Sequence, residues 1–265
     1  MNLFKVFALF LIPLALFTCA IASAEESVKF EKSEGYSHYL KGMENLKQGR
    51  CPEAITEYLE SLKLFPDNYV VYSALGYAYF YCGKFDESLE CFRKAIFLNP
   101  DFADATRGIA DVYMGLGQYN EAQAYFEKSI TLDPVIVSPY MALGTIYNNK
   151  SRFKEAIPLL SKVIAASPNF DTAYFELARA YQGTGETSLA ISNYEKCISL
   201  SPNIQKPYLP LSDCYAATGD YRKAIKYADM LRLLDPRNGK AKKTIRTLYY
   251  KIINFKKAAQ NQNNS

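Results

Sequence analysis

One period runs through most of this chain. Pro66, Pro100, Pro134, Pro168, Pro202 and Pro236 stand 34 residues apart, so half of the twelve prolines share a single phase. A second phase is held by Gly49, Gly83, Gly117, Gly185 and Gly219, with Ser151 where a sixth glycine would fall. A fixed period in the range of about 20–50 residues implies stacked copies of one small structural unit, because one such unit cannot bury its own apolar face. Divided so that each unit ends two residues after its proline, the copies are 35–68, 69–102, 103–136, 137–170, 171–204 and 205–238.

Inside a unit the apolar spacing is helical. Phases 4, 7, 8 and 11 of the second copy are Tyr72, Leu75, Gly76 and Tyr79, an i, i+3, i+4, i+7 stripe. Phases 20, 24 and 27 make a second stripe, Ser88, Phe92 and Ala95. Gly83, between them, suits the left-handed end of the first helix. The proline stops the second helix, since its ring and missing N–H cannot continue one. Small residues at phases 8 and 20 allow close helix approach, with the aromatic at phase 24 filling the space beside them.

The set Tyr72, Leu75, Gly76, Tyr79, Ser88, Phe92, Ala95, Pro100, and again Tyr140, Leu143, Gly144, Tyr147, Ala156, Leu160, Pro168, resembles the tetratricopeptide repeat pattern. The resemblance covers 35–238 and implies an all-α, right-handed superhelical solenoid of six helix-turn-helix repeats. Departures are Asn45 for the usual Tyr in the first repeat, and Pro207 and Pro210 early in the sixth. Residues 239–258 read as a basic amphipathic helix, with Ala241, Ile245, Leu248, Tyr249, Ile252 and Ile253 on its apolar face. It would cap the last repeat, as such arrays require. The same helix also suits a membrane surface or an acidic partner. Residues 259–265 read as a disordered tail.

Charge is unevenly spread. The chain carries +4 overall, yet Arg237 onward has only basic charges. Residues 1–24 read as a signal peptide: one Lys, an apolar run, and Ala22-Ser23-Ala24, with cleavage expected between Ala24 and Glu25. Residues 25–34 are a polar linker. Two other readings of the leader stand: an uncleaved anchor, and lipidation at Cys19, where Leu16-Phe17-Thr18-Cys19 loosely resembles a bacterial lipobox. Each puts the body outside the cytoplasm, in the periplasm or beyond. The lipidated form would resemble pilotin-type assembly factors of pilus or secretion systems.

No residue pattern points to catalysis. The one histidine, His38, occupies an apolar-stripe position, so it reads as packing and leaves no histidine-based metal cluster. No phosphate-binding glycine loop is present. No cofactor or metal is expected, and an acidic, exported body argues against nucleic acid. The family resemblance implies instead a protein partner, a peptide or helix held in a concave groove lined by first helices at phases 2, 5, 9, 12 and 13. The candidate groove residues are Tyr36, Tyr39, Met43, Leu46, Tyr77, Phe80, Tyr81, Arg107 and Asp111. Tyrosines at these phases also help neighbouring helices pack, so both roles stay open. Tyr39 and Met43 stand where chaperone-binding members of the family present Lys and Asn, which disfavours a carboxylate clamp there. Later repeats offer smaller or more polar residues, among them Asn148, Asn149, Arg179, Gln182 and Gly183.

The antiparallel stacking implied by the resemblance matches phase 17 of one repeat with phase 14 of the next. Cys51 and Cys82 hold those phases, so a disulfide between them is expected. Cys197 and Cys214 fall about 9 Å out of register, beyond disulfide reach. Cys91, Cys197 and Cys214 are therefore expected as buried thiols, the alternative being that all five cysteines are unbonded and pack as small apolar core residues.

Overall fold

Each periodic glycine ends a helix with left-handed backbone. Gly83 has φ 73°. Its N–H bonds the Phe80 carbonyl and the Lys84 N–H bonds that of Tyr79, both at 2.9 Å. This doubled closure satisfies carbonyls that the helix end would otherwise orphan. Ser151 adopts the same conformation at φ 58°, without glycine's freedom. The prolines act just beyond the second helices, and their carbonyls are used again: Tyr140, Tyr174 and Tyr208 donate to Pro134, Pro168 and Pro202 at 3.0, 3.2 and 2.7 Å.

The computed structural model describes the backbone of residues 33–263 and the side chains of 33–254. The leader 1–24, its Ala24–Glu25 junction, Cys19 and nearly all of the 25–34 linker lie outside the described residues. The fold is an all-α repeat, in two compact units that divide between Leu132 and Asp133.

The N-terminal unit holds three helix pairs: α1 Glu34–Lys47 with α2 Cys51–Leu64, α3 Tyr69–Tyr81 with α4 Phe85–Leu98, and α5 Ala103–Gly115 with α6 Tyr119–Leu132. Helices α1, α3 and α5 neighbour one another in turn. The phase-24 aromatics Tyr58, Phe92 and Phe126 and the phase-20 residues Ala54, Ser88 and Ala122 are all buried. Three buried hydroxyls bond to backbone: Ser61, Ser88 and Ser129 donate to the carbonyls of Gly35, Gly76 and Ala103 at 2.8, 2.8 and 3.0 Å.

The C-terminal unit holds α7 Ser138–Asn149 with α8 Phe153–Ala166, α9 Asp171–Thr184 with α10 Thr187–Leu200, α11 Tyr208–Ala217 with α12 Tyr221–Leu234, and the final helix α13 Gly239–Asn263. Helix α11 starts late, at Tyr208 directly after Pro207, which disfavours helical backbone before it, while Pro210 sits in the first turn, where its missing N–H has no helical partner to lose. Glu195 joins the fifth and sixth repeats, accepting from the Tyr215 and Tyr227 hydroxyls at 2.7 and 2.8 Å.

Helix α13 packs on α12, burying Ala241 and Leu248. It departs from the sequence expectation in two ways. Its helical backbone continues to Asn263, through most of the stretch read as a tail. Its buried stripe is also narrower, because Tyr249 and Ile253 stay 53% and 50% exposed beside an outward Tyr250. Helix α12 is its main neighbour, so only a strip is covered. Among the described residues no helix is long and apolar enough to cross a membrane.

Candidate partner-binding surfaces

The face made by α1, α3 and α5 carries all nine sequence-predicted groove residues, and most of them are already engaged. Tyr36 and Tyr39 stack at 5.9 Å, and with Leu46 they lie against the core cluster around Tyr58. The Tyr77 ring edge meets Phe92 at 4.9 Å, and its hydroxyl donates to the Asp104 carbonyl at 3.2 Å. Phe80 packs on Phe85. Tyr77 therefore takes the packing role that the sequence left open, and Leu46 packs as well. Met43 and Tyr81 remain open, at 46% and 65% exposure.

A charged network joins α3 to α5. Ser73 donates to Asp104 Oδ2 at 2.8 Å. Arg107 pairs with Asp104 and, at 3.3 Å, with Asp111, and its guanidinium lies 5.1 Å from the Tyr77 ring centre. Burial pushes the Asp111 carboxyl up to about 6, with Arg107 opposing the shift and Asp104 adding to it. Burial likewise pushes the Tyr77 hydroxyl above its ordinary value.

His38 is tied to Glu57, Nδ1 to Oε2 at 2.7 Å. Among the described residues no group of three or more His, Cys, Asp or Glu side chains could hold a metal ion. Cys51 and Cys82 are brought into hydrogen-bonding contact as free thiols, the Cys82 pKa being raised by burial first and by its neighbour second. Cys197 and Cys214 are buried, with thiols pushed up to about 11. Cys91 is only half-buried, a correction to the expectation, because its side of α4 is not fully covered.

The sequence passed over a second constellation, in the C-terminal unit. A pocket of about 630 Å³ lies between α7 and α9, lined by Asn148, Asn149, Arg179 and Gln182, with Phe153 and Gly183 against each other. Glu176, 7% exposed, holds it together. It accepts from Asn148 Nδ2 at 2.9 Å and from Arg179 at 2.8 and 3.1 Å. The available signal was Asn148-Asn149 at two groove phases with an acid and an arginine one repeat later; periodicity ranks such polar residues low.

Family models described as tetratricopeptide repeat match residues 69–102, 108–136, 137–170 and 171–204, and a further model described as TPR repeat matches 42–81. No curated protein sequence matches the chain. Among solved structures, YrrB, described as a TPR protein with an unusual peptide-binding site, is 20% identical at TM-score 0.64, covering 69% of this chain and 95% of its own. PilW, described as a widely conserved type IV pilus biogenesis factor, is 24% identical at TM-score 0.66, covering 82% and 99%. A MamA protein is 26% identical at TM-score 0.58, covering 65% and 94%. Sequence period, helix pairs and family matches agree, and the chain belongs to the tetratricopeptide repeat family.

Proposed function

We propose that this chain is a non-catalytic interaction scaffold, acting in the cell envelope or outside the cell, that holds a peptide or helix of a partner protein against the first-helix face of its N-terminal unit. The observation that carries the reading is the exposure of Tyr81, at 65%, on a face whose other aromatics are packed. A large ring left in water beside packed neighbours is the form of an interface anchor. Tyr81 leans on Phe80 at 5.4 Å, so it is presented on a supported base. The YrrB fold, with its peptide-binding site, is a precedent for the architecture. The leader-like residues 1–24 support an exported site of action. Lipidation at Cys19 would make the same scaffold a membrane-tethered, pilotin-like assembly factor, and the basic α13 would favour contact with an anionic membrane surface.

The test is partner capture from native envelopes by the parent protein and by a Met43→Ala/Tyr81→Ala variant, with helicity checked by circular dichroism. Tyr77 is left intact because it is part of the core. The reading expects a partner held by the parent and lost by the variant. Equal capture by both moves the interface off this face. Intact mass of the native protein separates a cleaved, a lipidated and a retained leader.

A further inference from the structure

Helix α13 carries charge that the rest of the chain does not answer. Several cations of the preceding repeats meet acids on a neighbouring turn: Arg152 pairs with Glu155, Arg232 with Asp229 at 2.7 Å and Lys223 with Asp220 at 3.7 Å. Lys242, Lys243 and Arg246 are exposed, and among the described residues none of the three is ion-paired. No acidic side chain stands anywhere from Arg237 to Ser265 to balance them. Lys251 stands apart, its charge opposing the upward shift that burial gives the Asp213 carboxyl. The free cations share a face with free apolar surface. Lys242, Arg246, Tyr249 and Ile253 follow at i, i+4, i+7 and i+11, one stripe of a helix, with Lys243 and Tyr250 along its border. Ala241 and Leu248 point elsewhere, into the cores that hold Leu231 and Tyr215. Tyr250 is 68% exposed, more than either Tyr249 or Ile253.

We propose that this face of α13 docks flat on an anionic phospholipid surface, with Tyr249, Tyr250 and Ile253 entering the headgroup layer and Lys242, Lys243 and Arg246 meeting lipid phosphates. Tyrosine suits that depth, having an apolar ring and a polar tip. The long stems of Lys and Arg let apolar carbons sink while the charge stays at the phosphates. The helix lies on the surface and does not span it, since no described helix is long and apolar enough to cross a membrane. The edge of one helix is convex, which fits a flat layer and leaves no groove for an acidic peptide. A second copy meeting this face with its own would bring like charges together without an acid between them. Three large side chains and three cations give weak, salt-sensitive binding, the kind that supplements a second attachment. The inference deepens the membrane contact proposed above. It takes from that reading only the envelope location where such a surface is met, and it needs neither a lipid at Cys19 nor the partner face.

The experiment uses the full chain with Tyr250→Trp. The protein has no tryptophan of its own, so the emission reports on α13 alone, whatever the leader does. Mixed vesicles of phosphatidylglycerol and phosphatidylcholine are expected to shift the emission to the blue, and vesicles of phosphatidylcholine alone to leave it in place. Adding Lys242→Glu/Arg246→Glu, with helicity checked by circular dichroism, is expected to weaken the response about thirtyfold or more, because each basic residue near an anionic surface contributes roughly a fivefold gain. Raising the salt on the unreversed protein is expected to weaken it as well. The proposal is overturned if mixed vesicles leave the emission unmoved, or if phosphatidylcholine alone shifts it equally. It is also overturned if charge reversal and salt change nothing, or if polyglutamate shifts the emission at lower concentration than the vesicles, which would give the face to an acidic protein. The vesicle response is expected to persist in Met43→Ala/Tyr81→Ala, whose effect falls on the partner face, so each reading can fail alone.

Discussion

The ring of Phe92 rests on the bare Cα of Gly108: a methyl group added there would lie 2.3 Å from two ring carbons. The same ring also closes on Gly76, where a methyl would lie 2.8 Å away, so it is gripped by glycines of two successive repeats. Ridges this close leave no rotamer into which the ring can retreat. Gly108→Ala should therefore destabilise the N-terminal unit by about 1–3 kcal/mol, the usual range for overpacking. Chemical denaturation measures it. An unchanged midpoint would mean that the ring can move aside.

Ser151 bears the conformation that glycine bears at the equivalent position of the other five repeats. A left-handed residue with a Cβ carries about 1–2 kcal/mol of strain, and glycine returns part of that through the freedom it gives the unfolded chain, roughly 0.4–1 kcal/mol. Ser151→Gly should raise stability by about 0.5–1 kcal/mol as the difference. A lower melting temperature in this variant would show that the serine side chain makes a compensating contact.

Asp111 keeps its proton to a higher pH in the folded protein than in the unfolded chain, with burial the main cause and Arg107 opposing. Between the ordinary aspartate value near 4 and about 6, the folded state binds more protons. Stability should then fall as pH rises through that window. Asp111→Asn should flatten this part of the stability profile, and a carboxyl-carbon NMR titration of the parent should place the midpoint near 6. A midpoint near 4 would sink the prediction.

Cys51 and Cys82 touch across the first and second repeats, while Cys197 and Cys214 are sealed in the core. A mild thiol oxidant should join the first pair and leave the buried thiols unmodified until unfolding. The raised Cys82 pKa makes the reaction slow near neutrality and faster as pH rises. A crosslink closing a loop of about 30 residues should add roughly 3 kcal/mol. Non-reducing peptide mapping decides it, and free Cys51 and Cys82 after oxidation would end the idea.

The repeat register, the helix ends and the core positions were readable from the chain alone, because each depends on local rules repeated in phase. Pro100 and Gly83 mark helix ends through backbone geometry that needs no partner. Ala54, Phe92 and Leu160 announce burial through helical spacing, and all three are buried. Tertiary structure decided what spacing cannot rank. Phases 5, 9 and 12 bring residues to the first-helix face, but whether a ring there meets a partner or a neighbouring helix depends on the side chain opposite. Tyr77 is taken up by Phe92 and Asp104, whereas Tyr81 finds no such cover. The pocket at Asn148 was less legible still. Its character comes from Glu176 orienting one amide across two helices and leaving an acceptor unmet, a balance of hydrogen bonds between residues 28 apart in the chain. Periodicity reports which residues face one another; only the assembled contacts determine which of their polar groups are left over.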